Sequence, residues 1–151
     1  MKRDGNILVL KYCIRSYRGF VKQTKIMLDF KNMIGCLSKG NPLSELLRDE
    51  DKIGIQNYEK HEFKIKNTDN IEAEIKKLGD ICKGWNDKYV EPYFYKDKIG
   101  NIRPVYDGYD WEVNLEYDDG SHKNFEGARS EPDNFNDFVK IVAEIVNKNL
   151  D

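Results

Sequence analysis

Any chemistry in this chain rests on two histidines, three cysteines and the carboxylates crowded into its last third. A histidine-dependent acid–base site must use His61 or His122. His61 stands in a run of charges, Glu59-Lys60-His61-Glu62, the usual setting of a solvated imidazole. His122 adjoins Ser121, but neighbours along a strand project to opposite faces, which argues against a Ser–His dyad. Cys13, Cys36 and Cys82 show no Cys-x-x-Cys spacing and no zinc pattern with the histidines, so they read as reduced thiols. Glu112 and Glu116 share a strand face but lie about 13 Å apart at ~3.3 Å per residue. That exceeds the ~5–9.5 Å needed by a glycosidase pair. Asp110 and Glu112, near ~7 Å, are the one local pair that fits, and with His122 they define a small-hydrolase reading. The acidic turn lacks the spaced ligands of a calcium loop, and no Gly-rich phosphate loop is present. The expectation is no catalytic residue, no metal ligand and no cofactor.

The elements that would position these groups are clearest toward the C-terminus. Trp111, Val113, Leu115 and Tyr117 alternate with Glu112, Asn114 and Glu116, the period of a strand with one face buried. Asp118-Asp119-Gly120 supplies residues that tolerate positive φ, predicting a hairpin turn, with Ser121 to Glu126 returning and Gly127 ending the strand. Asn134 is a candidate N-cap with Asp137 three residues on, opening a helix over about 134–149. Phe135, Phe138, Val139, Val142, Ile145 and Val146 fall on one face of it.

Earlier in the chain, a hairpin over 6–30 places Leu8, Leu10, Tyr12 and Ile14 inward, with Lys11, Cys13, Arg15, Gln23 and Lys25 outward. Its edge is open to pairing with a second copy. Asn41-Pro42 starts a short helical segment, and Ile53–Tyr58 and His61–Lys66 read as weaker strands. Asp69 with Glu72 caps a helix over about 69–83, carrying Ile71, Ile75, Leu78 and Cys82 on one face. Trp85 to Arg103 has no clean period and reads as an ordered, aromatic-rich loop. Because strands and helices do not alternate singly, the fold expected is α+β: a mainly antiparallel sheet of hairpins with two main helices packed on one face.

The run Asp107-Gly108-x-x-Trp111, the alternating strand, the Asp118-Asp119-Gly120 turn, Gly127 and the Pro132-x-Asn134-Phe135 helix start resemble a widespread group of small uncharacterised bacterial proteins. The resemblance is closest over Trp85 to Val146 and looser before it. The turn Ala128-Arg129-Ser130-Glu131 carries a charge on each side where the group has a short polar turn. What the resemblance implies is a fold; it brings no activity with it.

With 151 residues, the chain suits one domain spanning 1–151 with a single core. Charged residues reach 34%, but 12% aromatic residues at regular intervals argue against long disorder. No apolar run approaches the ~20 residues of a membrane helix. Ile7 to Leu10 is too short for a signal-peptide core, so the expected location is the cytoplasm, with no membrane partner.

Charge separates this chain from an ordinary small domain. Residues 1–40 carry nine Lys/Arg against two carboxylates, a balance of +7, and residues 107–151 carry four against twelve, a balance of −8. The net charge of −2 conceals this asymmetry. In one reading the two hairpins lie together and their faces offset one another. In another, one face binds a partner. An acidic face of Glu112, Glu116, Asp118 and Asp119, with Tyr109 beside it, suits a basic protein surface. The alternative is a basic ribbon of Lys11, Arg15, Arg18 and Lys25, with Tyr17 and Phe20 at its tip, suited to nucleic acid. The favoured expectation is a non-enzymatic protein-binding module. Small acidic bacterial proteins of this make-up often act as inhibitors or immunity proteins carried on mobile elements.

Overall fold

The computed structural model describes residues 6–16, 22–40, 59–90, 94–96, 98–104 and 109–150. The expected helical segment at Asn41-Pro42, the Ile53–Tyr58 strand, the Arg18 turn with Tyr17 and Phe20, and the Tyr106–Gly108 turn lie outside these residues. In chain order the elements are β1 (Ile7–Ser16), β2 (Lys22–Asp29), β3 (Ile34–Gly40), β4 (Glu59–Lys64), α1 (Asp69–Cys82), β5 (Lys88–Val90), β6 (Phe94–Lys96), β7 (Ile102–Pro104), β8 (Tyr109–Tyr117), β9 (His122–Ala128) and α2 (Phe135–Asn149).

Among the described residues, seven strands form one sheet in the order β4-β3-β2-β1-β8-β9-β5, while β6 and β7 form a separate ribbon. Every pairing in the large sheet is antiparallel except β5 with β9, which is parallel. The region expected to be a loop from Trp85 to Arg103 thus contains three short strands, each too brief to leave a period in the sequence. Both sides of the first hairpin are occupied, since β1 lies between β2 and β8 and β2 between β1 and β3. Among the described residues, both strands of that hairpin are paired on both sides.

The alternation in β8 is borne out: Trp111, Val113, Leu115 and Tyr117 are buried. A register shift between Ile7 and Val9 alters the reading of β1. This bulge buries Ile7 and leaves Leu8 half-buried, because one extra residue re-aims the side chains that precede it. The turn after β8 closes with Gly120 N–H donating to the Tyr117 carbonyl at 3.0 Å and Gly120 at φ 84°, the left-handed position its sequence predicts.

Aromatic contacts join α2 to the sheet. Phe135 packs 4.6 Å from Trp111 and 6.1 Å from Tyr12, and Phe138 lies 6.0 Å from Tyr12. Trp85, just past α1, meets Phe125 and Phe138 edge-on at 5.3 and 5.1 Å. Ile71, Leu78 and Cys82 of α1 are buried as their spacing predicts, with Ile75 partly buried.

Asn134 holds the N-cap position of α2 as expected, but neither helix start carries a side-chain cap bond. α1 opens after Thr68, with no side-chain cap bond. Asn134 does precede α2, but its side chain turns away from the helix. Its Oδ1 accepts from Trp85 Nε1 at 2.6 Å and its Nδ2 donates to the Ile81 carbonyl at 3.2 Å. Asn134 therefore ties the end of α1 to the start of α2. Nor does Gly127 end its strand. It is buried within β9 opposite Trp111, whose indole occupies the space a Cβ would need and donates to the Ser130 carbonyl at 2.9 Å.

Candidate functional site

Adjacency of β1 and β8 places the basic and acidic strands side by side on the sheet. Tyr12 opposes Val113 and Leu10 opposes Leu115 on the buried side, so Lys11, Cys13 and Arg15 share the other face with Asn114, Glu112 and Asp110. Cross-strand register extends one row over all seven strands: Lys60, Ser38, Lys25, Cys13, Glu112, Glu126 and Lys88. The row runs from cationic through neutral to doubly anionic, then back to a cation at the β5 edge.

Arg15 is the hinge of this arrangement. Its Nη1 lies 2.9 Å from Asp110 Oδ1 and 3.8 Å from Glu112 Oε1, while its Nε donates to Gln23 Oε1 at 3.0 Å. Burial opposes its charge, but the Asp110 hydrogen bond and the surrounding negative charges prevail, and its pKa rises. Gln23, expected to face solvent, is buried under this contact. Cys13 also faces outward by register but is covered by its neighbours. Burial raises its thiol pKa against the pull of Arg15 and Lys25, which keeps it protonated and unreactive at neutral pH.

Glu112 and Glu126 stand directly opposite each other, a like-charged pair that costs stability unless cations offset it. Arg15 serves Glu112, and Lys88 Nζ approaches Glu126 at 3.4 Å. Among the described residues, three shallow depressions meet at Glu112. One of about 260 Å³ reaches across β1 to β3, lined by Lys11, Cys13, Lys25, Met27, Cys36 and Ser38 among others. A second of about 270 Å³ holds Arg15, Asp110, Glu126 and Val90. The third, about 610 Å³, lies between Asp87, Lys88, Asn114, His122 and Glu126.

Of the other acidic residues, Glu116 is exposed opposite His122. Asp119 accepts from the Ser121 N–H at 2.9 Å and from its hydroxyl, so it shapes the turn. Asp118 donates its N–H to the Asn6 carbonyl at 2.9 Å and is exposed. Tyr109 begins β8, half-buried, with its hydroxyl donating to Glu131. On the basic side, Lys11 is exposed and Lys25 half-buried, whereas Arg18 lies outside the described residues.

The hydrolase trio does not assemble in one depression. Glu112 shares one with His122 and another with Asp110, and Asp110 is held by Arg15. His61 is half exposed, 3.6 Å from Glu59. Among the described residues, no group of three or more His, Cys, Asp or Glu side chains is arranged to hold a metal ion. The described helices include none long and apolar enough to cross a membrane. Cys13 and Gln23 are the participants sequence reasoning misjudged; their burial depends on neighbours from β1, β2 and β8 that no local pattern reveals.

No family model matches this chain, and neither a curated protein nor a solved structure does.

Proposed function

We propose that this protein is a non-enzymatic protein-binding module whose contact surface is the mixed-charge sheet face centred on Glu112. The observation that carries the reading is the Glu112–Glu126 pair, two carboxylates set opposite one another where three depressions meet. An open face bearing such a pair favours a partner that brings a cationic side chain between them. Basic and neutral groups on β1 to β3 extend the surface, so a complementary partner presents basic and acidic patches side by side. On this reading the two helices close the Leu10–Tyr12 face and leave the charged face for binding. The setting we infer is cytoplasmic, with inhibitor- or immunity-type action in a bacterial mobile element and kinship to the group of small bacterial proteins that the C-terminal half resembles.

The nucleic-acid reading is weaker on the same geometry. Arg15 is engaged by Asp110, Glu112 and Gln23, and an acidic strip adjoins the basic one, which repels a phosphate backbone. A hydrolase would need Asp110 released from Arg15.

Affinity capture from native lysate at low and moderate salt tests the proposal, with bound protein and nucleic acid both identified. One stoichiometric protein retained at moderate salt supports it. Recovery of nucleic acid alone, lost as salt rises, overturns it.

A further inference from the structure

β4 forms one edge of the seven-stranded sheet, and among the described residues nothing pairs with its outer side. Its backbone polarity follows from one bond: the Ile65 N–H donates to the Met33 carbonyl at 2.8 Å, in register with Ile34 opposite Lys64. Bonded and non-bonded pairs alternate in an antiparallel ladder. Phe63, His61 and Glu59 thus direct their backbone groups to β3, and Lys60, Glu62 and Lys64 direct theirs to the open edge. Such an edge is a template for another strand.

Charge decides which strand fits. A second β4 related by a two-fold axis pairs residues symmetrically about one position. Centred on Glu62, it opposes Glu62 with its copy and Lys60 with Lys64. Centred on Phe63, it opposes Glu62 with Lys64 but also Lys60 with Lys66. Centring on Lys60 or Lys64 sets that lysine against itself. Only the register centred on His61 puts Lys60 opposite Glu62 on both sides and sets no two lysines and no two glutamates against each other among the described residues. The alternating charges that bar the other registers leave this one open.

We propose that β4 is a self-association edge, at which a second copy of this chain adds its own β4 antiparallel across a two-fold axis at His61. Lys60 then faces Glu62 of the partner subunit, each such pair exchanges both backbone hydrogen bonds, and the two sheets become one. This edge lies four strands from Glu112, so self-association and capture of a different protein are separable.

Light scattering across a concentration series reads the assembly. The native chain should form a concentration-dependent dimer. Lys60→Glu and Glu62→Lys should each weaken it by roughly tenfold, since each creates two like-charged pairs, and the double exchange should restore it. In a Cys36→Ser background, His61→Cys should give a disulfide-linked dimer under mild oxidation, because residues opposed in a non-bonded pair have Cα atoms ~4.5 Å apart. Lys60→Cys and Glu62→Cys should not. A monomer at all concentrations overturns the proposal. So does a dimer indifferent to the single reversals, or one cross-linked best at position 60 or 62.

Discussion

Arg15 on β1 donates to Asp110 on β8 at 2.9 Å, joining residues 95 positions apart in sequence. This contact fastens the basic strand β1 to the acidic strand β8. Both side chains are about three-quarters covered, at 25% and 23% exposure. A double-mutant cycle between Arg15→Ala and Asp110→Ala, followed by urea unfolding, should return a coupling of about 1 kcal/mol. Raising the salt concentration should reduce that coupling only in part, since both partners are largely shielded from solvent.

Gly127 should be intolerant of any side chain. A Cβ there collides with the Trp111 indole and approaches the Ser130 carbonyl to 2.5 Å, displacing the acceptor of the indole hydrogen bond. Gly127→Ala should cost about 3 kcal/mol in chemical denaturation. Gly84→Ala, where a Cβ meets nothing within 4 Å, should leave stability within about 0.5 kcal/mol.

The role of Asn134 separates two explanations of one residue. Serine would serve nearly as well if Asn134 worked as a helix N-cap. Because its amide instead bridges Trp85 and the Ile81 carbonyl, Asn134→Ser should lose about 2 kcal/mol in chemical denaturation and alter the tryptophan emission. Stability equal to the native protein would return Asn134 to a capping role.

Thiol behaviour gives a pH prediction. Burial pushes the Cys82 thiol from 9.0 to about 12. The folded chain then holds a proton that the unfolded chain releases, so this group's contribution to stability falls as pH rises from about 9 toward 12. Cys82→Ala should flatten the alkaline loss measured by urea unfolding. Labelling at neutral pH should reach the half-buried Cys36 first and Cys82 only on unfolding.

Local patterns carried much of the architecture. The alternation through Trp111 to Tyr117, the Asp118-Asp119-Gly120 turn and the apolar stripes of both helices are short-range signals, and each appears in the fold. The neighbour relation of β1 and β8 has no such signal, because pairing between distant strands depends on the whole core. That relation decides the candidate site: it buries Gln23 beneath Arg15 and brings Glu112 beside Cys13. The Leu8 bulge and the parallel strand β5 were illegible for a related reason, being one-residue and three-residue features. Of the acidic residues read from sequence, Glu112 lies at the centre of the face, while Asp119 is occupied by its own turn.

The central claim is that the face around Glu112 binds another protein. Its most direct test is capture from native lysate by the native chain, by Glu112→Lys with Glu116→Lys, and by a control with Glu72→Lys and Glu144→Lys on exposed helix positions. The account predicts that the sheet-face reversal loses the partner and the helix control keeps it. The helix control should melt close to the native temperature, as surface substitutions usually cost under ~0.5 kcal/mol. Glu112→Lys also removes the 3.8 Å contact with Arg15, so the sheet-face variant is compared once a cooperative melt shows that it is folded. A partner retained equally by the native chain and the sheet-face variant would contradict the account.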